Sequence, residues 1–270
     1  MTNKRHVNRN SQQDRRGVGK VKNTASTKEV GQTVVNIHKE RRAASLPPIV
    51  AMTPKQKYYL YMLQSGEFNA IVVEGLFGTG KSYCSACVAA DALIKGDVEK
   101  VIIARPYVQT GRSSGAKPGT SLDKLYPYVR NVLDTMKERM GAGPYTEALR
   151  DGLTGKIEVQ EVESIRGRSF DKPSFLLIEE AQQTTPEEMK AIVTRVSDNC
   201  TLVISGDDSQ KDIRGETGLS WFMNFVKRHN IPNVGYISFN DPEDIVRGGL
   251  CGDIARGLYV DGVTRDKGED

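Results

Sequence analysis

Gly75-Leu76-Phe77-Gly78-Thr79-Gly80-Lys81-Ser82 constrains this chain more than any other stretch. It is a G-x-x-x-x-G-K-S loop. A buried-strand pattern, Ala70-Ile71-Val72-Val73, precedes it, and a small-residue helix pattern, Ser85-Ala86-Cys87-Val88-Ala89-Ala90, follows. Strand, glycine-rich turn and helix start together form an anion site. Backbone N–H groups line the turn, and the positive end of the helix dipole faces the bound phosphates. Lys81 supplies an ammonium for the β- and γ-phosphates, and the Ser82 hydroxyl can ligate Mg²⁺. Tyr83 comes next, on the first helical turn. A chance match in a glycine-rich turn would lack the flanking strand and helix. The pattern implies a bound nucleoside triphosphate lined by Gly75 through Tyr83.

Beyond the loop, buried-strand patterns alternate with helical ones. Helices are expected over 54–65, capped by Thr53 with Pro54 in the first turn, and over 81–95. A largely helical stretch covers 121–151, with a break near Gly141-Ala142-Gly143-Pro144. The capping box Thr185-Pro186-Glu187-Glu188 opens a helix reaching about Ser197. Further helices are expected near 217–229 and from Asp241-Pro242 to about Tyr259. Strands are expected at 70–74, 100–104, 156–162, 175–178, 201–205 and 234–239. Such alternation predicts an α/β fold, a mainly parallel sheet covered on both faces.

Composition narrows the setting. No apolar run approaches the ~18 residues a membrane span needs. The N-terminus MTNKRHVNRN is charged and lacks the apolar segment of a secretory signal. Four cysteines without a paired framework suit a reducing cytoplasm. Cys84 and Cys87 form a lone C-x-x-C on the helix after the loop, and small side chains on one helix face explain them. Residues 1–52 hold 11 Lys/Arg against 3 Asp/Glu, so the overall +4 belongs to this arm. With little apolar periodicity, residues 1–46 read as disordered. Their charge suits either nucleic-acid contact or simple solvation. The expected organisation is a basic arm over 1–46, a folded domain over 47–260 and a charged tail over 261–270.

In a parallel sheet the ligand lies outside the carboxyl ends of the strands. The 175–178 strand delivers Glu179-Glu180-Ala181-Gln182 there, and the 201–205 strand delivers Gly206-Asp207-Asp208-Ser209-Gln210. Beside a phosphate loop this resembles the Walker B and sensor motifs of ATP-driven motors. Glu179 would hold Mg²⁺, Glu180 would polarise the attacking water, and an amide downstream would detect the γ-phosphate.

Residues 53–260 resemble the PhoH-like ATPases, which are similar to the first motor domain of superfamily-one helicases. The resemblance rests on Thr53-Pro54-x-Gln56, the phosphate loop, Arg105-Pro106, Arg166-Gly167-Arg168, Glu180-Ala181-Gln182, Thr194-Arg195, Gly206-Asp207-x-x-Gln210-x-Asp212 and Asp244-Ile245-Val246-Arg247. It implies a P-loop NTPase of RecA-like, three-layer build, with ATP and Mg²⁺ as ligands. It also implies that Gln56 reads the adenine edge and that Gln210 senses the γ-phosphate. Arg105, Arg166 and Arg168 match positions near nucleotide or nucleic acid, although ion pairs with Asp171 or Glu163 would explain the last two equally. One departure is plain: the family usually has Asp where this chain has Glu179.

Helicases of that superfamily place ATP between two motor domains, and this chain carries one set of motifs. The resemblance therefore favours a homo-oligomeric ring, a hexamer, in which Arg247 on the C-terminal helix reaches a neighbour's site. The expected activity is Mg²⁺-dependent ATP hydrolysis coupled to movement on single-stranded RNA or DNA. The basic loop around Arg112 and Lys117 and the N-terminal arm are the expected contacts. The alternatives are a P-loop phosphotransferase and a nucleotide-gated assembly module with little turnover.

Overall fold

The computed structural model describes residues 46–106, 121–150 and 155–261. The arm over 1–45, the basic loop around Arg112 and Lys117, and the tail from 262 lie outside the described residues.

Six strands form one parallel sheet: β1 (Ala70–Gly75), β2 (Lys100–Arg105), β3 (Ile157–Glu161), β4 (Ser174–Ile178), β5 (Cys200–Gly206) and β6 (Val234–Phe239), in the order β3-β2-β4-β5-β1-β6. Successive strand residues point to opposite faces. One face therefore collects Ile71, Val73, Val101, Ile103, Phe175, Leu177 and Val203. The other collects Val72, Ile102, Leu176, Ile178, Leu202 and Ile204. Both sets are buried, which is why the strands read as continuous apolar runs.

The first face is covered by α1 (Pro54–Ser65), α2 (Lys81–Lys95), α3 (Ser121–Met140) and α4 (Ala142–Ala148), through Tyr59, Met62, Leu93, Leu133 and Ala148. The second is covered by α5 (Pro186–Val193) and α6 (Gly218–His229), through Met189, Ile192, Leu219 and Phe222. This is the expected three-layer, RecA-like arrangement. Fully burying each such aliphatic or aromatic side chain contributes about 1.5–3 kcal/mol.

Local signals act where expected. The Thr53 hydroxyl accepts the Gln56 N–H at 3.1 Å, and Thr185 and Glu188 complete their capping box. Helix α5 stops at Val193 rather than near Ser197 because Thr194 caps it and Val196 bridges to Phe170.

The last helix differs more. Asp241 and Asp244 form a capping box, but it opens only the single 3₁₀ turn Pro242–Asp244. The next N–H groups leave helical pairing: Val246 N–H and Arg247 N–H both donate to the carbonyl of Gly78, each at 3.0 Å. Helix α7 (Gly249–Val260) begins only after this segment has been tied to the phosphate loop.

Because the order runs β4-β5-β1, the loops after these three strands abut. A cleft of about 540 Å³ lies over them.

Candidate nucleotide site

Glycine makes the loop possible. At Gly75 φ is +134°, and a Cβ would lie 2.4 Å from the carbonyl oxygen of Phe239 on neighbouring β6. At Gly80 φ is +83°, and a Cβ would lie 2.7 Å from Nε2 of Gln56. A side chain at Gly75 would collide with backbone, and one at Gly80 would be strained and crowd the Gln56 amide. Gly80 then serves as the N-cap of α2 with no side-chain cap, which leaves first-turn N–H groups available to an anion.

Lys81 Nζ donates to the carbonyls of Gly75 and Leu76 at 2.5 and 2.7 Å. Burial lowers its pKa, against the upward pull of Asp207, Glu179, Glu180 and Glu74. The Thr79 hydroxyl donates to Leu76 O at 2.9 Å. The Leu76 side chain is turned away from the cleft and packs with Ile245 and Ala255. Leu76 therefore serves through its backbone, whereas Gly75, Phe77, Gly78, Thr79, Gly80, Lys81, Ser82 and Tyr83 line the cleft.

The two carboxylates part company at the end of β4. Glu179 is buried, and its Oε2 accepts the Ser82 hydroxyl at 2.8 Å. Its Oε1 is buried without a hydrogen-bond partner. Burial pushes its pKa up to about 7, with Glu180 adding to the rise and Ser82, Lys81 and Arg105 opposing it. Glu180 has left-handed backbone, φ +54° and ψ +46°, a strain of about 1–3 kcal/mol for a non-glycine residue. Its carboxylate has partners of its own. One oxygen accepts Gln182 Nε2 at 2.7 Å, and the other lies 3.7 Å from the Arg105 guanidinium. Arg105 is itself fixed by the Tyr128 carbonyl at 2.9 Å.

A hard cation fits this donor set. An orphaned buried carboxylate oxygen beside a serine hydroxyl suits an oxygen-seeking ion, and bound charge would favour the ionised form of Glu179. The longer Glu side chain still reaches Ser82. Ser82 and Glu179 are the residues that would hold Mg²⁺.

Gln182 ties two strand ends together. Its Nε2 holds Glu180 while its Oε1 accepts the Asp207 N–H at 3.1 Å, and a Cβ on Gly206 would meet that oxygen at 2.8 Å. Asp207 is buried and accepts Gln210 Nε2 at 2.6 Å, which holds the Gln210 amide at the cleft wall. Gln182 and Asp207 stand inside recognisable motifs, but only the fold shows them acting as supports.

Gln56 lines the cleft. Its Nε2 donates to Thr79 O at 2.8 Å, and its Oε1 accepts the Met52 N–H at 2.7 Å. One donor and one acceptor of its amide are thus engaged by the protein.

Arg247 also lines the cleft of its own chain. The expectation that it rides on the C-terminal helix is corrected: it lies before Gly248, the N-cap of α7, because its N–H bonds to Gly78. Lys55 braces this segment through Asp241 and Asp244 at 2.5 and 2.7 Å. Arg168 is brought instead to Glu158, at 2.5 Å, and to Gln160, in the β3 region. Arg166 is exposed. Val50, Met52, Asn131 and Thr135 complete the cleft, and no motif marks them. Among the described residues no group of three or more His, Cys, Asp or Glu forms a metal cluster. No described helix is long and apolar enough to cross a membrane.

The model of the PhoH-like protein family matches residues 48–258. The chain belongs to the PhoH-like family. Protein PhoH of Escherichia coli K12 is 34% identical over 223 residues, covering 82% of this chain and 60% of that protein. A PhoH-like protein of Bacillus subtilis is 36% identical over 175 residues, covering 64% of this chain and 53% of that one. This PhoH-like chain thus spans little more than half the length of these relatives. Among solved structures, the large terminase of a thermophilic bacteriophage in complex with ADP is similar at 12% identity, with a TM-score of 0.48, covering 77% of this chain and 50% of that one. The UvsW helicase of bacteriophage T4 is similar at 10% identity and TM-score 0.46, covering 78% and 77%.

Proposed function

We propose that this PhoH-like chain is a Mg²⁺-dependent ATPase whose hydrolysis is coupled to movement on, or remodelling of, single-stranded nucleic acid in the cytoplasm. The observation that carries the reading is the split carboxylate pair. One oxygen of Glu179 engages Ser82 and the other is orphaned and buried, while Glu180 is turned separately toward the cleft.

Mg²⁺, when bound by Ser82 and Glu179, supplies charge neutralisation for the phosphates. The loop N–H groups and Lys81 hold the β- and γ-phosphates, and Lys81 must leave the Gly75 and Leu76 carbonyls to do so. Glu180 accepts the proton of the attacking water. A P–O bond forms to that oxygen, the bond to the β-phosphate oxygen breaks, and ADP carries away the electron pair. Gln210, steadied by Asp207, reports whether the γ-phosphate is present. Arg247 neutralises developing charge in its own chain's cleft.

The nucleic-acid half of the reading is supported by the family and by the basic arm. Self-association is favoured by Leu250 and Ile254, apolar residues of α7 left 76% and 49% exposed, and a hexameric ring by the family resemblance alone. Phosphate release with and without single-stranded RNA or DNA at low salt tests the coupling, and no stimulation by either defeats it. Light scattering with and without a non-hydrolysable ATP analogue tests the ring.

A further inference from the structure

Two strand ends lying side by side deliver residues of opposite charge. Strands β2 and β4 pair in register through Ala104 and Ile178, and the Glu179 N–H extends the ladder by donating to the Ala104 carbonyl at 2.9 Å. Arg105 ends β2 and Glu180 follows Glu179, so a guanidinium and a carboxylate leave neighbouring strands together. Glu180 lines the cleft, whereas Arg105 is not among the described residues that line it. Whatever Arg105 does at the cleft, it does through Glu180.

Glu180 needs such support. At φ +54° and ψ +46° its backbone occupies a region that non-glycine residues keep only when their surroundings hold them there. Its side chain is 38% exposed, and a glutamate free in water samples several rotamers. Gln182 fixes one carboxylate oxygen at 2.7 Å. The other, Oε1, faces the Arg105 guanidinium at 3.7 Å, beyond hydrogen-bonding reach but close enough for charge to orient it.

Arg105 in turn has a rigid seat. Its Nη1 donates to the Tyr128 carbonyl at 2.9 Å, and its guanidinium lies over the Tyr128 ring, 5.3 Å from the centroid. Tyr128 belongs to α3, which is anchored on the first face of the sheet through Val129, Val132 and Leu133. A flat guanidinium can donate in its plane and stack across its face at once, which a lysine ammonium cannot.

We propose that Arg105 is a positioning residue: seated on α3, it holds the Glu180 carboxylate in the orientation from which it meets the attacking water. The inference rests on the hydrolysis reading above, in which Glu180 takes that water's proton.

A double-mutant cycle on the full chain with Mg²⁺ tests it, with steady-state and single-turnover ATP hydrolysis and ADP binding as readouts. Arg105→Ala should lower kcat by about 10–100-fold, the effect of a misplaced catalytic group, and leave KM and ADP affinity within about threefold. Arg105→Lys should recover part of the loss, because the charge returns without the flat seat on Tyr128. In a Glu180→Gln background, Arg105→Ala should lower the rate no further, since a residue acting through Glu180 has nothing left to position. A further loss of about tenfold in that background would place its action elsewhere, at Glu179 or in the fold, and overturn the inference. Turnover in Arg105→Ala equal to or above the parent's overturns it too, as do parallel losses of turnover and ADP affinity. Those results leave the hydrolysis reading standing. If Glu180→Gln alone hydrolyses ATP as fast as the parent, or the parent hydrolyses none, that reading falls and takes this inference with it.

Discussion

The Ser82 hydroxyl donates to Oε2 of Glu179 across 2.8 Å, and the other oxygen of that carboxylate is buried without a partner. The fold thus holds a carboxyl group whose ionised form is unfavourable until a cation arrives. Its raised pKa, about 7 against an ordinary 4.5, makes this testable.

In the nucleotide-free protein the folded state keeps the Glu179 proton to higher pH than the unfolded chain does. Stability therefore falls as pH rises between about 4.5 and 7, and levels off above. The loss is on the order of 3 kcal/mol. Glu179→Gln removes the buried charge. It should match the parent near pH ~5 and melt on the order of 5 °C higher near pH ~8, while losing Mg²⁺-dependent ATP affinity. Melting curves at both pH values check this, and equal melting temperatures at the higher pH would refute it.

Much of this arrangement is legible in the sequence, for particular reasons. Leu176, Leu177 and Ile178 form an unbroken apolar run because both faces of β4 are covered, so the strand and the carboxylates after it can be placed together. Gly75 and Gly80 read as a phosphate loop because a side chain there would collide with backbone or be strained. The start of α7 cannot be read. Asp241-Pro242-Glu243-Asp244 has the pattern of a helix start, and the distant Gly78 carbonyl, taking the N–H groups of Val246 and Arg247, together with extended Gly248 and positive-φ Gly249, stops a helix from following. Asn131 and Thr135 are silent because polar residues on an amphipathic helix look alike whether they face solvent or a ligand.

Gln182 should be worth more than its exposure suggests. Gln182→Ala leaves the Asp207 N–H without its acceptor and frees Glu180 from its orienting donor. A loss of about 1–3 kcal/mol in stability is expected, the cost of one unsatisfied buried group. Turnover should fall more steeply than ATP affinity, because Glu180 loses its position whereas the phosphate loop does not. Denaturant melts and steady-state kinetics on one preparation separate the two effects.

Two glycines divide strain from collision. Gly66→Ala meets positive φ but no atom within 4 Å, so it should cost about 1–2 kcal/mol. Gly75→Ala adds a Cβ 2.4 Å from the backbone of Phe239 and should cost about 4 kcal/mol or more, prying β6 from β1. Urea unfolding of both variants provides the comparison. Equal losses would mean that β6 yields freely at its edge.

Arg247 lines the cleft of its own chain. Its backbone is bonded to the phosphate loop of its own chain, and a Cβ on Gly78 would lie 3.1 Å from its Cβ. A residue rooted so close to its own cleft is expected to act there. Arg247→Ala should lower turnover by about 10²–10³-fold, within the range for charge-stabilising groups, with little change in melting temperature. Mixing Arg247→Ala with Lys81→Ala chains distinguishes the two geometries. If the arginine serves its own chain, each mixed assembly lacks a complete site and stays inactive. If it serves a neighbour, a Lys81→Ala subunit lends its intact arginine to the Arg247→Ala site, and activity returns as the two proteins are combined.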